Sequence, residues 1–446
     1  MKNTAMPGLP SANWPELPDV ASALLQSLLD EETLSAVGDK RRATASALLR
    51  DGLPRPRDEA WKYTSVRALE QRRYANGDVG ALTRSLAAHA FELPGVDGVQ
   101  LVFVNGAYRA DLSRIAALEG VTITPLAVED VASSSHGSAD AGGAESRSDA
   151  FQRLNTALVG TCLRVHVAAG VRVAEPIHLV FAGAAAQTDV AWQARTRFEL
   201  AERASLRVIE HHVAADANAH FGNLVAHYAV GAQARLDLLQ IQQASDAATL
   251  IRRDTFEVSE DALLSLRTLE TGSQLTRHEV DVDLAGSRAR FESRGVFALH
   301  GRQHCDSHLD IRHNAGATIS DIVWRGVADE RARGVFHGAI VIAPGADGAD
   351  AKLSNKNLLL SSTAEIDTQP ALEIYADEVK AAHGATVGQL DEGALFYLRS
   401  RGIALGVARQ LLVSGFCREM FADIKPLALR DHLDAMLSAH LSIEFS

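Results

Sequence analysis

The middle of the chain has the hydrophobic and polar pattern of β-strands. From about Leu163 to Tyr375, short runs that alternate or are wholly apolar follow one another, and turns containing glycine separate them. The runs cover residues 206–213, 235–242, 255–258, 264–269, 279–284, 290–297, 308–311, 319–324 and 335–342. Their spacing of roughly 10 to 14 residues is typical of a sandwich, a barrel or a solenoid of strands. The pattern therefore predicts a mainly β body and leaves its architecture open. Three Arg-Gly-Val steps hint at repetition, but no fixed period emerges.

Helical spacing appears at both ends of the chain. Leucines recur at helical intervals between residues 21 and 50, which predicts two amphipathic helices. After Asp391, a good N-cap residue, the pattern predicts three more helices. The first ends near Arg401, the second carries Phe416, and the third runs over residues 428–441.

These patterns divide the chain into three regions. We predict an N-terminal helical region at 1–95, a strand-rich body at 96–387 and a C-terminal helical region at 388–446. Within the body, residues 149–157 are predicted to form a short helix. The Ser/Gly-rich segment 132–148 cannot bury enough apolar surface to fold, so we expect a mobile loop there.

Two prolines interrupt the chain before an aromatic segment. Pro54 and Pro56 break any helix, and Trp61-Lys62-Tyr63-Thr64 follows them. Large aromatic side chains are more often buried anchors than ligand sites. We therefore expect this segment to pack onto the body.

Charge and composition narrow the functional classes. The net charge of -12 disfavours nonspecific binding to nucleic acid or anionic membranes, which reward clustered Lys and Arg. The N-terminus has no apolar segment typical of a secretory signal, and no apolar run approaches the roughly 20 residues that span a bilayer. We expect a soluble, cytoplasmic protein. Three widely spaced cysteines, Cys162, Cys305 and Cys417, argue against a disulfide framework and against a self-contained thiolate cluster.

Sequence motifs for unaided catalysis are absent. The chain has no GxxxxGK[ST] phosphate loop, no GxGxxG turn, no HExxH zinc helix and no GxSxG elbow. The densest group of possible metal ligands is His300, His304, Cys305, His308 and His313. His304, Asp306 and His308 alternate and could share one strand face. We interpret the group as the polar exterior of the body, because spacing alone does not make ligands converge.

Residues 367–403 join the body to the C-terminal helices. Leu372 and Ile374 alternate with polar residues as in a strand with one buried face. Turns are predicted at Gly384 and Gly388, which places His383 at a turn. A lone histidine near a turn is usually part of the hydrogen-bonded structure, and the pattern alone assigns it no function.

Several long blocks along the chain carry a resemblance to a known family. They include RDEAWKYTSV (57–66), LVFVNG (101–106), DAFQRLNTA (149–157), GVFHGAIVI (334–342) and AEIDTQPALEIYADEVK (364–380), and HGATVG (383–388) and LFYLRSRGI (395–403) follow. In this order the blocks closely resemble the SufB/SufD family of the SUF iron–sulfur cluster assembly system, in particular its SufD-type members. The resemblance covers nearly the whole chain.

The resemblance implies a fold and a function. It implies a right-handed parallel β-helix between helical ends, and a non-catalytic scaffold that pairs with a SufB chain and holds the ATPase SufC. A homodimer is a further possibility. The resemblance assigns SufB pairing, or self-pairing, to Leu372, Ile374 and Tyr375. It assigns SufC docking to the C-terminal helices, here to Phe396, Tyr397, Arg399, Arg401 and Gly402.

The resemblance also implies one candidate cluster ligand. His383 corresponds to a histidine implicated as a ligand of the nascent iron–sulfur cluster at the SufB interface, so that the cluster would be bound only transiently. Many relatives have a cysteine two positions earlier, where this chain has Ala381. The chain therefore offers an imidazole without that thiolate. The alternative is a β-helix carbohydrate-active enzyme, which would require convergent carboxylates, whereas the acidic residues here are scattered.

Overall fold

A computed structural model describes residues 22–77, 82, 85–125 and 149–441. The loop predicted at 132–148 lies outside these residues. Strand residues (43%) outnumber helical residues (22%), so the prediction of a mainly β chain is confirmed.

Twenty strands form the body. They are β1 (Ala75–Asn76), β2 (Gln100–Val104), β3 (Ala107–Tyr108), β4 (Val121–Pro125), β5 (Thr161–Val167), β6 (Ile177–Gly183), β7 (Val190–Leu200), β8 (Ser205–Ala214), β9 (Phe221–Val230), β10 (Arg235–Gln243), β11 (Thr249–Val258), β12 (Leu263–Glu270), β13 (Leu275–Leu284), β14 (Arg290–Leu299), β15 (His304–His313), β16 (Ile319–Ala328), β17 (Arg333–Ile342), β18 (Asp350–Leu359), β19 (Glu365–Ile374) and β20 (Lys380–Gly388).

The strands build two ten-stranded sheets. Sheet A has the order β19-β17-β15-β13-β11-β9-β7-β5-β4, with β1 beside β7, and sheet B has the order β20-β18-β16-β14-β12-β10-β8-β6-β2-β3. From β5 onwards the chain alternates between the sheets, and from β7 onwards each strand pairs in parallel with the strand two places earlier. Two strands per turn give a parallel β-solenoid of about eight turns. The parallel β-helix implied by the resemblance is thereby confirmed.

The same type of corner recurs once per turn and keeps successive turns of the solenoid at a regular spacing. One residue per turn has a left-handed backbone, and these corner residues include Arg203, Gln233, Asp261, Arg288 and Ala317. They are separated by 30, 28, 27 and 29 residues. The next residue in each corner is small and buried, as in Ala204, Ala234, Ala262, Ala289 and Thr318. A larger side chain there would collide with the adjacent turn, because close-packed interiors leave few voids.

The space between the sheets is filled mostly by apolar side chains. Alternate residues of each strand point inward, as expected for the two-residue period of a strand, and they form one continuous core along the solenoid. Examples are Leu236 and Leu238 of β10 and Phe256 and Val258 of β11, each at most 1% exposed.

A chain of charged residues interrupts this core, and we call it the ionic string. It consists of Glu210, Arg252, Asp254, His278 and Glu270, each at most 4% exposed. The Arg252 guanidinium lies 2.9 Å from Glu210 and 2.7 Å from Asp254. The two ring nitrogens of His278 lie 3.0 Å from Asp254 and 3.1 Å from Glu270. Every charge in the string therefore has an opposite neighbour, which buried charges require.

Helices cover the outer face of sheet A near the N-terminus. They are α1 (Ala23–Leu28), α2 (Glu31–Ser35), α3 (Asp39–Asp51), α4 (Arg67–Glu70) and, after β4, α5 (Ala150–Leu158). Two helices were predicted between residues 21 and 50, and this was wrong. The chain turns at Asp30, whose carboxylate accepts a hydrogen bond of 2.8 Å from the backbone N–H of Thr33 and so starts a separate helix.

The aromatic segment after Pro56 anchors the N-terminal region. Trp61 is 1% exposed, and the Arg277 guanidinium lies 4.0 Å above the centre of its ring. The hydroxyl of Thr64 donates a hydrogen bond to Asp306 on the outer face of β15. The expectation of a packed anchor is confirmed.

Three helices follow the last strand. They are α6 (Glu392–Ser400), α7 (Leu405–Arg418) and α8 (Leu427–His440), close to their predicted positions. Asp391 caps α6 by accepting hydrogen bonds from Gly393 and Ala394 at 2.7 and 3.1 Å. Helices α7 and α8 pack on the outer face of sheet B through residues such as Cys417 and Leu433. Among the described residues, no helix has the length and apolar character needed to cross a membrane.

Candidate functional site

The last turn of the solenoid forms an open end. Strand β19 pairs only with β17 and β20 pairs only with β18, so each has one edge without a partner strand among the described residues. Such edges present unpaired N–H and C=O groups to any strand that approaches. We call this surface the open end.

The edge of β20 is continuous. The N–H of Lys380 donates to Ala349 O at 2.8 Å, which directs the even-numbered peptide groups of β20 toward β18. The peptide groups of Ala381, His383 and Ala385 therefore face the open edge. An incoming strand would find both donors and acceptors along it.

The edge of β19 is interrupted. The N–H of Tyr375 donates to Ile342 O at 2.8 Å, so the odd-numbered groups face β17 and the even-numbered ones face the open edge. Pro370 falls on the open side and has no N–H. Proline at a sheet edge limits strand addition, so the two edges of the open end are unequal.

The structure places His383 inside a strand rather than at a turn. It pairs with Leu353 of β18, and Gly384 continues the same strand, so the predicted turn at Gly384 is wrong. Leu353 belongs to the inward row of the core, and His383 continues that row beyond the last covered turn. The residue is therefore exposed. Its ring forms no hydrogen bond or ion pair with the described residues, which leaves both nitrogens available.

A small polar layer lies beneath Ala385 and Val387, further along β20 from His383. Thr368 donates to the Asn355 side chain at 2.8 Å, and Asn357 donates to Asn355 at 2.5 Å and to the Thr386 carbonyl at 3.1 Å. Asn355 and Asn357 are almost fully buried. The apolar core therefore ends in amide and hydroxyl groups just beneath the open end.

The other residues predicted for this interface lie on or beside β19. Leu372 is partly buried against the core, whereas Ile374 is 44% and Tyr375 61% exposed. The structure thus brings these residues and His383 to the same end of the solenoid.

The predicted docking residues lie on and just after α6, three residues beyond β20. Phe396 is 74% and Tyr397 57% exposed, while Leu395 is the buried residue of this helix. Arg401 stacks on the Tyr397 ring, and Gly402 ends the helical segment with a positive φ of 85°. Arg399 is also exposed. The α7 residues Val407 and Leu411 and the α8 residue Leu427 are at least 50% exposed.

The structure separates the histidine-rich group between residues 300 and 313. His304 and His308 flank Asp306 on the outer face of β15, as predicted, whereas Cys305 and His313 point into the core. His300 lies at a turn, where its ring is tilted against that of His440 with 4.5 Å between the centroids. In the described ranges, no three His, Cys, Asp or Glu side chains are arranged to hold a metal ion.

All three cysteines are buried and unpaired as disulfides. Burial raises the pKa of the Cys162 thiol to about 11 and that of Cys417 to about 12. Burial, and then the carboxylate of Glu270, raise the pKa of Cys305 well above its usual value. Its thiol donates to Glu270 at 3.1 Å. These thiols are protonated groups of the core, and Cys305 is therefore not part of the polar exterior to which its group was assigned from the sequence.

The ionic string was not predicted from the sequence. Its signal was present, because Glu210, Asp254 and Glu270 occupy positions that the strand alternation assigns to the buried face. Three carboxylates at inward positions of neighbouring strands predict buried cationic partners.

Comparisons with known proteins agree along the chain. The family model "SUF system FeS cluster assembly, SufBD core domain" matches residues 181–416, and "SufBD protein N-terminal region" matches residues 24–179. The "Iron-sulfur cluster assembly protein SufD" of Escherichia coli is 30% identical over 95% of this chain and 98% of its own length. A SufBD family protein of Synechocystis is 29% identical over 93% of this chain and 94% of its own. A Mycobacterium tuberculosis relative is 27% identical over 88% and 90%.

Proposed function

Because this chain belongs to the SufB/SufD family of iron–sulfur cluster assembly proteins and is SufD-like within it, we propose that it is a non-catalytic scaffold subunit of the SUF machinery. It pairs with a SufB chain through the open end, and it holds the ATPase SufC through its C-terminal region, residues 388–446. The family match does not favour the carbohydrate-active alternative.

The unpaired edge of β20 is the observation that carries this proposal. The continuous pairing of about eight turns stops at an exposed strand whose outer edge has no partner strand among the described residues. Pairing with the terminal strand of a second solenoid satisfies these peptide groups and covers Ile374 and Val387, which are 44% and 42% exposed.

The candidate cluster ligand lies on the same edge. An exposed imidazole without an internal partner can bind iron when neutral. His383 would contribute one ligand to the nascent cluster, and the SufB chain would supply the others, since Ala381 offers no thiolate. In this role the cluster is cargo that is assembled and passed on.

The exposed side chains of α6 and α7 support the proposed contact with SufC. Phe396, Tyr397 and Leu411 leave an apolar surface that a soluble monomer rarely retains without a partner. The nearby Arg399 and Arg401 add a polar rim, as is usual at protein interfaces.

Co-expression with SufB and tagged SufC tests the assignment. We expect the three chains to elute together in size-exclusion chromatography, and the purified chain alone to hydrolyse no ATP. Expression of SufB and SufC without this chain is the control. Separate elution of this chain would refute the scaffold role, and a dimeric peak lacking SufB would favour a homodimeric scaffold.

A further inference from the structure

A cleft of about 390 Å³ lies on the outer face of sheet B, far along the chain from the open-end strands. Its walls come from strands β8, β10, β12 and β14 and from the segment that leads into α8. Sites for small molecules typically have volumes of about 300 to 1,000 Å³. The cleft is large enough for a small organic ligand.

One side of the cleft is apolar. Ile209 and Leu239 of sheet B face Ile424 and Leu429 across it. All four are at most 9% exposed, so their packing is set by the fold. This side suits a flat or aliphatic ligand body.

The charged residues of the cleft are only partly neutralised by one another. Arg235 lies 2.8 Å from Asp237, and Arg267 donates to Asp423. The hydrogen bond to Asp237 raises the pKa of Arg235, and the nearby charge of Glu292 contributes to the rise. The three carboxylates of the cleft are therefore all close to Arg235 or Arg267.

Two further cations have no carboxylate partner among the described residues. Arg207 donates to the backbone carbonyl of Ala174, and the Lys425 ammonium makes no hydrogen bond or ion pair. Both line the cleft of a protein whose net charge is -12. A local excess of positive charge beside an apolar wall attracts an anion that also carries apolar surface.

One hydroxyl on the cleft wall has no protein partner among the described residues. Ser265 lines the cleft and is 7% exposed, and its hydroxyl forms no hydrogen bond with another described residue. The hydroxyl can therefore bind a ligand or water in the cleft.

We propose that this cleft binds a small amphipathic anion. The apolar body lies against Ile209, Leu239 and Ile424, and the anionic group lies between Arg207 and Lys425, within reach of the Ser265 hydroxyl. The proposal is independent of SufB pairing, since no strand of the open end lines the cleft. It does not use the exposed docking residues of α6, although Ile424, Lys425 and Leu429 belong to the C-terminal region.

The dye anilinonaphthalene sulfonate, an amphipathic anion, is a suitable probe. The full-length chain is labelled with carbon-13 at isoleucine δ-methyl groups, and the dye is titrated in solution. We expect the methyl signals of Ile209 and Ile424 to shift together, while that of Ile115, which is 67% exposed elsewhere, stays in place. Shifts confined to other methyl groups would overturn the proposal.

Charge variants make the test specific. Lys425→Glu should weaken the affinity measured at Ile209 and Ile424 about fivefold or more, since it replaces attraction by repulsion. Lys40→Glu, which makes the same charge change on the exposed surface of α3, is the matched control and should leave the affinity unchanged. Equal affinities for both variants would contradict the assignment. Unchanged signals of interior methyl groups confirm that each variant is folded.

Discussion

Inside the solenoid, Nε2 of His278 lies 3.0 Å from a carboxylate oxygen of Asp254, and neither side chain reaches the solvent. The other ring nitrogen faces Glu270 at 3.1 Å. Since both nitrogens face carboxylates, the ring is an imidazolium in the folded protein. Burial lowers the pKa of His278, but its hydrogen bonds to Asp254 and Glu270 raise it, and the balance lies above the ordinary value.

This relationship predicts a pH-dependent stability. Because the pKa of His278 is higher in the folded than in the unfolded protein, its protonation contributes to the free energy of unfolding. This contribution is fully present below the unfolded-state pKa of about 6.5 and is lost as the pH rises through the folded-state pKa. Replacing His278 by Gln leaves the buried Glu270 without a cation and Asp254 with Arg252 alone, and should cost about 3–5 kcal/mol near pH 6. Urea unfolding of both proteins from about pH 6 to about pH 9 should show the difference shrinking as the pH rises. A constant or growing difference would contradict the charged state of His278.

The proposed cluster ligand gives a second prediction. His383→Ala should reduce reconstituted iron–sulfur absorbance in the complex with SufB and SufC, while the three chains still elute together, because the ring has no structural contact to lose. Ala381→Cys places a thiolate beside the imidazole on the same strand face and should increase cluster retention. An unchanged iron–sulfur absorbance in His383→Ala would contradict the proposed ligand role of His383, but it would not contradict the scaffold role of the chain.

A third prediction concerns the β20 edge. Ala385→Pro deletes a donor that faces the open edge and leaves the hydrogen bonds to β18 in place. It should weaken SufB pairing by tenfold or more in a titration followed by light scattering, about 1.4 kcal/mol. Ala385→Val keeps the N–H and is the matched control. Equal weakening by both variants would mean that side-chain size, and not strand pairing, determines the contact.

A fourth prediction separates the second interface from the first. Phe396→Asp puts a charge into the exposed patch of α6, so SufC binding should fall at least tenfold while SufB pairing is retained. Ile115→Asp introduces the same charge at another exposed position and should change neither SufC binding nor SufB pairing. Because both side chains are mostly in solvent, the free energy of unfolding should change by less than about 0.5 kcal/mol. Loss of both partners in Phe396→Asp would argue for a single shared surface.

The strands and the C-terminal helices were predictable because alternation and capping are local signals. Asp391 and Gly402 bound the first helical segment of the tail in both sequence and structure. The solenoid itself could not be derived from spacing, because a strand of given length fits several β architectures. A better signal was the small residue that recurs in the corners, at Ala204, Ala234 and Ala262. Its interval varies by a few residues, which hides it from a search for a fixed period.

The position of His383 illustrates what local patterns miss. Two glycines nearby predict a turn, and the neighbouring strand β18 overrides that preference by pairing with the whole segment. A residue of the inward row is exposed here because no further turn covers it among the described residues. The residue's availability is thus a property of where the solenoid stops, which no short window of sequence contains.

At the opposite end of the solenoid the terminal strands among the described residues, β3 and β4, run antiparallel to their neighbours and are only two and five residues long. Within the described ranges, the long parallel edge strands are therefore those of the open end. In the proposed pairing, two such chains, identical or related, would meet head to head through their open ends, and the edges of β19 and β20 would then be covered in both. Stacked β-strands can extend into fibres, whereas pairing through the open ends alone would give a finite assembly of two chains.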